Sequence, residues 1–299
     1  MHLLSMTDLG DAELSNILTE TERIKKNPIV SRDALVDKSL VLLFEKPSTR
    51  TKVSFEVAMF QLGGQSINLN VGSSQLSRGE SIGDSARVLS RYANAIAARV
   101  YNHKSLLELA EYSTVPVINA LSDLEHPCQV ISDLYTIRES RGRLKGVKLA
   151  YVGDGNNVCN SLILGCAMTG VDLSIASPLG YAPDEKLLLK AQSMASSEIK
   201  KYTNPVDAVT GADYIYTDVW VGMGDESEKK KRLKAFQDYQ VNESLLEKAA
   251  DGCRIMHCLP AHRGMEITDE VLDGPQSIVW EQAENRLHTQ KAILLKLLQ

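Results

Sequence analysis

Short apolar runs alternate with longer amphipathic segments along most of the chain. The runs of strand length are residues 40–44, 66–71, 95–100, 115–119, 147–152, 172–176, 199–202 and 254–257, and a further run ends at Asp218. Between them, apolar residues recur at three- and four-residue spacing, which predicts amphipathic helices. Strands that alternate with helices in this way predict an α/β fold with doubly wound parallel sheets.

The chain length and one polar stretch indicate two domains. A chain of 299 residues is long enough for about two domains of ordinary size. Residues 141–146 are polar and contain two glycines, and we interpret them as the link. We therefore predict domains at residues 1–140 and 147–275, followed by a last helix over residues 281–299. Near the N-terminus, Thr7 or Asp8 is expected to cap a first helix that buries Leu14, Ile17 and Leu18.

Composition excludes several classes of protein. The hydrophobic content of 43% and charged content of 24% are normal for a soluble globular chain. The net charge of −5 argues against a nucleic-acid-binding protein. No apolar run approaches the length of about 18 residues that a membrane span needs, so no membrane partner is expected. The first residues resemble neither a secretory signal nor an Arg-rich organelle leader.

The cysteines predict a reducing environment. There are five of them, an odd number, and no two form a C-x-x-C pair. Neither a disulfide framework nor a zinc knuckle is therefore indicated. Reduced thiols are typical of a cytoplasmic protein.

The sequence Pro-Ser-Thr-Arg-Thr at residues 47–51 is the strongest chemical signal. It lies between the apolar run at 40–44 and a predicted helix, and Pro47 favours an extended Lys46 before the helix begins. The first turn of a helix offers unpaired N–H groups that suit a phosphate or carboxylate. Hydroxyl groups and the planar fork of Arg50 would add further donors. A plain N-cap is the alternative interpretation.

Other polar residues also follow predicted strands. Arg99 lies near the end of one strand, and His126 and Gln129 flank the start of a helix that follows another. In open α/β sheets, ligands bind beyond the carboxyl ends of the strands. The glycine-rich turn at residues 153–158 superficially matches a dinucleotide fingerprint. It has Val158 in place of the third glycine and no acidic residue about 20 positions on, which disfavours a dehydrogenase.

Several motifs together resemble the aspartate/ornithine carbamoyltransferase family. They are Pro-Ser-Thr-Arg-Thr followed by Ser-Phe-Glu, His-Pro-Cys-Gln at 126–129, Asp-Val-Trp at 218–220, His-Cys-Leu-Pro at 257–260 and Glu-Asn-Arg-Leu-His at 284–288. The resemblance extends from about residue 40 to the C-terminus, and the later motifs match the ornithine branch of the family.

The resemblance implies a fold, a reaction and an assembly. One domain would bind carbamoyl phosphate and the other L-ornithine, with the C-terminal helix returning to the first domain. The reaction would yield citrulline within arginine metabolism, with no metal or organic cofactor. A trimer, or a multiple of trimers, with shared active sites is also implied. An alternative from another class is a non-catalytic binding subunit, which the intact motifs disfavour.

The resemblance also implies residue roles. Carbamoyl phosphate would be bound by Ser48, Thr49, Arg50, Thr51, Gln75, Arg99, His126, Pro127, Cys128, Gln129, Cys258, Leu259 and Arg286, with Gln75 supplied by a neighbouring subunit. Ornithine would be held by Asn157, Asp218, Gly222 and Met223. The residues implied to act in catalysis are Arg50, Arg99, His126, Asp218 and Cys258.

Charge favours ornithine as the acceptor. Aspartate would need a cation for its second carboxylate, and residues 219–226 contain none, whereas Asp218 suits an amine. The family usually has serine where this chain has Gly222, so a putrescine carbamoyltransferase is the alternative. Cys258 could instead act covalently, because His257 beside it could favour the thiolate. We expect direct attack by the amine.

Overall fold

The computed structural model describes residues 1–195, 197–222 and 226–299. Two compact units are present: one comprises Met1–Tyr135 with Asn285–Gln299, and the other is Thr136–Glu284. Each unit is built on its own parallel sheet with flanking helices, which confirms the predicted α/β class. The two divisions between the units fall inside helices.

The N-terminal unit has a four-stranded sheet in the order β2-β1-β3-β4. Its elements are α1 (Asp11–Lys26), β1 (Ser39–Phe44), α2 (Thr49–Gln61), β2 (Gln65–Asn70), α3 (Ile82–Tyr92), β3 (Ala95–Arg99), α4 (His103–Tyr112), β4 (Val117–Leu121) and α5 (Pro127–Arg141). Every residue of β1 and β3 is buried, as expected for central parallel strands covered on both faces. β2 is one of the two edge strands and leaves Ile67 exposed.

The C-terminal unit has a five-stranded sheet in the order β7-β6-β5-β8-β9. Its elements are β5 (Lys148–Val152), α6 (Asn157–Thr169), β6 (Asp172–Ala176), α7 (Glu185–Met194), β7 (Ile199–Tyr202), α8 (Pro205–Val209), β8 (Tyr214–Thr217), α9 (Lys229–Phe236), α10 (Glu243–Leu246), β9 (Arg254–His257) and α11 (Asp269–Leu272). The last helix, α12 (Val279–Leu298), begins in this unit and belongs to the N-terminal unit from Asn285 onward. Helix α6 is apolar from Leu162 to Met168 and is buried along most of its length. The central position of β5 places the turn that follows it at the middle of the sheet.

The predicted cap of the first helix is wrong. Residues Met6–Asp8 form a separate turn of 3-10 helix, and α1 begins at Asp11 after Gly10. The carboxylate of Asp8 accepts the N–H groups of Leu4 at 2.6 Å and Ser5 at 2.9 Å, so it caps the preceding turn instead of the following helix. The inward residues predicted for α1 are buried as expected.

The predicted strand at 115–119 is displaced by two residues. β4 begins at Val117, after Pro116, whose ring nitrogen carries no hydrogen to donate to a ladder. No helix in the described part of the chain is long and apolar enough to cross a membrane.

Candidate active site

The register of the N-terminal sheet brings three predicted site segments to one edge. Phe44, the last residue of β1, is opposite Arg99 at the end of β3, and Arg99 is opposite Leu121 at the end of β4. The three segments are residues 45–51 after β1, Arg99 at the end of β3, and residues 122–129 after β4. Because the strands are parallel, all three carboxyl ends lie at the same edge of the sheet.

Helix α2 begins inside the Ser-Thr-Arg-Thr segment, as predicted. Ser48 is the N-cap, and its hydroxyl accepts the N–H of Thr51 at 3.3 Å. Ser48 therefore acts as an N-cap, as the alternative interpretation of this segment predicted. Thr49 is exposed and Arg50 is half-buried, and the Arg50 side chain has no hydrogen bond or ion pair with any described residue. The guanidinium of Arg50 is thus available to an external anion at a helix N-terminus.

Buried cationic groups lie behind this first turn. Thr51 is buried, and Nη2 of Arg286 in α12 donates to its hydroxyl oxygen at 2.9 Å. Arg99 and Arg286 are both buried. They lie close enough to His126 to influence its ionisation: burial above all, and then Arg286 and Arg99, hold the pKa of His126 well below its usual value. At neutral pH, His126 is an uncharged imidazole beside two guanidinium groups.

We expect the lowered pKa of His126 to make the protein less stable in mild acid. Below about pH 6.5 the unfolded chain gains a proton on this imidazole while the folded one does not, so the free energy of unfolding falls by up to about 1.4 kcal/mol per pH unit. His2 and His103 also have lowered pKa values and contribute in the same direction. Urea unfolding at several pH values between 7.5 and 5 checks this, with wild type compared with H126Q.

His2 and His103 are present in both proteins, so the difference between the two curves of stability against pH isolates the contribution of His126. The stability of the variant should fall less steeply over this pH interval. Parallel curves for the two proteins would contradict the expectation.

Gln129 presents a buried acceptor. Its Nε2 donates to Asp133 Oδ1 at 2.9 Å, and its Oε1 is buried with no hydrogen-bond partner among the described residues. An unpaired buried carbonyl is costly, so this oxygen is suited to an N–H group of a ligand. Pro127 is the first residue of α5, as predicted.

Two predicted binding residues make no obvious side-chain contribution to this group. The Cys128 thiol is buried and donates to the carbonyl of Asn119 at 3.4 Å, and burial raises its pKa to about 12. Gln75 is exposed on the 3-10 turn Gln75–Arg78, and its side chain has no hydrogen bond within the described part of the chain.

The C-terminal sheet brings together a second group of predicted residues. β8 and β9 are neighbours, with Thr217 opposite His257, so Asp218 and Cys258 follow adjacent strand ends. The Cys258 thiol donates to Asp218 Oδ1 at 3.0 Å, and the N–H of Val219 donates to the same oxygen at 2.8 Å. A polar group with a buried carboxylate at its centre suits an amine.

The turn between β5 and α6 contributes a residue that the sequence analysis missed. Asn156, not Asn157, is the N-cap of α6, and its Nδ2 donates to Asp218 Oδ2 at 2.6 Å. Asn157 is the partly exposed first residue of the helix. An asparagine immediately before a helix start was the available signal. Gly222 is described and partly exposed, whereas Met223 lies outside the described residues.

The segment after β9 has an unusual backbone. Leu259 has φ of 57°, a left-handed conformation that is uncommon for a leucine, and the Leu259–Pro260 peptide is cis. The N–H of Leu259 donates to His257 Nδ1 at 2.8 Å, and His257 Nε2 is 3.1 Å from Glu266 Oε1. Both ring nitrogens of His257 are therefore engaged in holding this turn.

These contacts argue against activation of the Cys258 thiol by His257 and against a metal site at this position. The thiol donates to the Asp218 carboxylate, a charge of the wrong sign to favour a thiolate, so the alternative in which His257 activates Cys258 gains no support. Asp218, His257 and Cys258 place one donor atom each within 4.8 Å of one another. Because neither ring nitrogen of His257 is open, the group suits a polar organic substrate better than a metal ion.

A separate cavity lies at the other end of β9. It has a volume of ≈ 420 Å³, and its lining includes Glu243, Glu247, Asp251 and Cys253. Cys253 immediately precedes β9, whereas Cys258 follows it. The cavity is therefore at the amino edge of the sheet, away from the carboxyl edge that carries Asp218.

Both parts of the chain match domain models of one protein family. The carbamoyl-P binding domain of aspartate/ornithine carbamoyltransferase matches residues 1–139, and the Asp/Orn binding domain of the same family matches residues 145–297. The chain belongs to the aspartate/ornithine carbamoyltransferase family.

Similar proteins cover the whole chain. An ornithine carbamoyltransferase of Archaeoglobus fulgidus is 57% identical over 99% of this chain and 97% of its own length. The solved structure of ornithine carbamoyltransferase from Pyrococcus furiosus has 49% identity and a TM-score of 0.95, covering 99% of this chain and 96% of that one. An acetylornithine transcarbamylase with bound acetylcitrulline has 30% identity and a TM-score of 0.89, covering 100% and 99%. The family fold is therefore shared by members whose names give different acceptors.

Proposed function

We propose that this protein transfers the carbamoyl group of carbamoyl phosphate to the side-chain amine of L-ornithine, which yields L-citrulline and phosphate. The observation that carries the proposal is the 57% identity, over essentially the full length of both chains, to a relative named ornithine carbamoyltransferase. Relatives at about 50% identity have the same name, including those of Methanocaldococcus jannaschii and Pyrococcus furiosus. These names favour ornithine over putrescine as the acceptor.

The N-terminal unit is the proposed carbamoyl phosphate site. Carbamoyl phosphate is a mixed anhydride with a good leaving group, so catalysis requires a fixed position and stabilisation of the oxyanion. The first turn of α2, with Ser48, Thr49 and Arg50, would bind the phosphate. Thr51, Arg99 and the neutral His126 would polarise the carbamoyl oxygen. The buried Oε1 of Gln129 supports a further role as acceptor for the carbamoyl N–H.

Arg286 would hold Thr51 in position through its 2.9 Å hydrogen bond. A guanidinium that donates to a hydroxyl oxygen leaves the hydroxyl hydrogen of Thr51 free to point at the substrate. The two buried guanidinium groups also favour a bound dianion over water. A bound dianion would offset part of the energetic cost of burying Arg99 and Arg286 in the unit.

The C-terminal unit is the proposed ornithine site. Asp218 would position the side-chain amine, and Asn157 the amino-acid end. An alkyl amine has a reference pKa near 10.4, so delivering it uncharged at pH 7 costs about 4 to 5 kcal/mol. We expect the rate at limiting ornithine to rise between neutral and mildly alkaline pH, because the uncharged amine becomes more abundant.

Gly222 makes the acceptor test necessary. A glycine here supplies no hydroxyl to the amino-acid head, whereas putrescine has no such head to bind. The decisive assay measures carbamoylated product from carbamoyl phosphate with L-ornithine, N-acetylornithine, putrescine or L-aspartate, at pH 7 and 8.5. We expect kcat/KM for ornithine to exceed the others by at least about 100-fold, since a misplaced or missing charged contact costs about 3 kcal/mol. A preference for any other amine would overturn the proposal.

Cys258 is proposed to act without becoming carbamoylated. Its thiol donates to Asp218, so replacement by alanine removes one hydrogen bond to a charged group and leaves the amine free to attack. We expect C258A to retain turnover, reduced about tenfold, because such a bond is worth about 1.5 kcal/mol. Steady-state kinetics measure the rate, and mass spectrometry of the quenched wild-type enzyme detects any adduct. Complete loss of activity in C258A together with a carbamoylated wild-type cysteine would reverse the proposal.

A homotrimer, or a multiple of trimers, is the proposed assembly, with Gln75 contributed to a neighbouring subunit. Its support is the exposed position of Gln75 and the apolar surface around the edge strand, where Phe60 is 80% and Ile67 is 44% exposed. Light scattering of the purified protein gives the mass directly, and an active monomer would contradict the proposal.

We also propose a cytoplasmic location, which the absence of any disulfide among the five cysteines supports.

A further inference from the structure

Asn156 connects the start of helix α6 to the carboxylate of Asp218. Its Oδ1 accepts the N–H groups of Val158 at 3.0 Å and Cys159 at 3.1 Å, which caps the helix. Its Nδ2 donates to Asp218 Oδ2 at 2.6 Å. One side chain therefore satisfies two orphan helix donors and also fixes one oxygen of the carboxylate.

The orientation of this amide is determined by the cap. Because the helix N–H groups need an acceptor, Oδ1 must face them, and the NH₂ group then has to face Asp218. The hydroxyl of Tyr151, 3.3 Å from Oδ1, donates from the same side and also reaches the carbonyl of Asp154 at 2.8 Å. Rotating the amide by half a turn would break its contacts with the two helix N–H groups and with Asp218.

The turn that carries Asn156 is held in place as well. Gly155 packs so tightly that an added Cβ would lie 2.1 Å from the nitrogen of Pro183, and its own N–H donates to the carbonyl of Tyr181 at 2.8 Å. No other residue fits this position without moving the backbone of Pro183. The close approach therefore holds the turn that carries Asn156 against the segment that precedes α7.

Asp218 is left with few free acceptor positions. A carboxylate has about four lone-pair positions. Three are occupied within the described residues, by Asn156 Nδ2, by the N–H of Val219 and by the thiol of Cys258. The arrangement leaves about one position, in a fixed direction, for a further donor.

We propose that Asn156 is a positioning residue for the acceptor amine, which sets the plane of the Asp218 carboxylate so that its remaining lone pair faces the amine. The inference rests on the proposed function, because it assigns that lone pair to ornithine. Asn156 acts through Asp218 and need not touch the substrate. Asn156 thus has two roles, capping α6 and contacting the Asp218 carboxylate, and mutation can separate them.

The variant N156S separates the two roles. Serine is about as good an N-cap as asparagine, but its hydroxyl is too short to cap the helix and reach Asp218 together. We expect KM for ornithine to rise about tenfold, with kcat also reduced and KM for carbamoyl phosphate unchanged, since a hydrogen bond to a charged group is lost. The matched control is N204S, because Asn204 caps α8 after the edge strand β7 and accepts the N–H of Val206 at 3.0 Å.

The variant N156D provides a second readout. Aspartate keeps an acceptor for the cap and places another carboxylate against Asp218, so the pair holds a proton more tightly than one carboxylate alone. The other ionisable groups around Asp218 are Cys258, Tyr151, Asp154 with its ion pair to Arg232, and His257 with its contact to Glu266. All of them are retained in the variant.

For N156D we expect a KM for ornithine that is raised at neutral pH and recovers as the pH is increased through the raised pKa of the pair. N156S should show only the pH dependence of wild type, which comes from deprotonation of the amine. A KM for ornithine in N156S within twofold of that in N204S would overturn the inference, as would equal increases in KM for both substrates. Failure of the wild-type enzyme to form citrulline would instead refute the proposed function, so the two failures are distinguishable.

Discussion

Replacing Arg50 by glutamine should lower kcat/KM for carbamoyl phosphate by about 10²- to 10³-fold, equivalent to about 2.7 to 4 kcal/mol of lost transition-state stabilisation. Arg50 is half-buried on the first turn of α2 and has no partner among the described residues, so its guanidinium is available to a phosphate. Glutamine keeps helix propensity and much of the side-chain length but removes the charge. Initial-rate kinetics with varied carbamoyl phosphate provide the measurement.

The same helix offers a matched control. Lys52 is exposed two residues further along α2, so K52Q removes a positive charge from the same turn. We expect its kcat/KM to stay within about twofold of wild type, because an exposed charge is screened by solvent. The melting temperatures of both variants should match that of wild type. Equal kinetic losses in the two variants would mean that only the net field matters, and the specific role of Arg50 would be wrong.

Replacing Asp218 by asparagine should lower kcat/KM for ornithine by about 10²- to 10³-fold. Two opposite charges at about 4 Å attract by up to about 4 kcal/mol at an effective dielectric constant of 20, and asparagine removes that attraction. Asn156 and Cys258 both donate to this carboxylate, so the variant also leaves donors facing an amide. The KM for carbamoyl phosphate should not change. Kinetics with each substrate varied in turn test both statements.

The opposite end of β8 provides the control. Asp213 immediately precedes the strand, where its carboxylate pairs with Arg141 at 2.7 Å and accepts the N–H of Lys148 at 3.0 Å. D213N removes a carboxylate from the amino edge of the same strand. We expect it to lower the free energy of unfolding by about 1 kcal/mol without altering KM for ornithine. If D213N raised that KM as much as D218N does, the assignment of the acceptor site to the carboxyl edge would be wrong.

Local sequence patterns were sufficient for most of the regular structure. The apolar run at 40–44, Pro47 and the hydroxyl-rich turn predicted a strand, a break and a helix start, and β1 and α2 have that arrangement. Strands β6, β7 and β9 have the predicted bounds. These predictions succeed because strand burial, proline geometry and helix capping depend on residues within a few positions of one another.

Helix α4 shows where local reasoning was incomplete. Its signals were present, with Asn102 as the N-cap and Leu106 and Leu109 buried at helical spacing. No start or end was predicted for this helix, although both signals are local. The cap of α1 failed for a different reason. Asp8 had two possible sets of N–H groups to accept, and only the folded structure selects between the preceding turn and the following helix.

The contacts that complete the two groups of candidate site residues, one in each unit, are long-range. Arg286 reaches Thr51 across 235 positions, and Asn156 reaches Asp218 across 62. The sequence by itself determined which residue types stand at strand ends and helix starts, and hence the family and the chemistry to expect. Only the tertiary structure decided which of them meet, because the order β2-β1-β3-β4 and the order β7-β6-β5-β8-β9 are set by packing and strand pairing, not by neighbours along the chain.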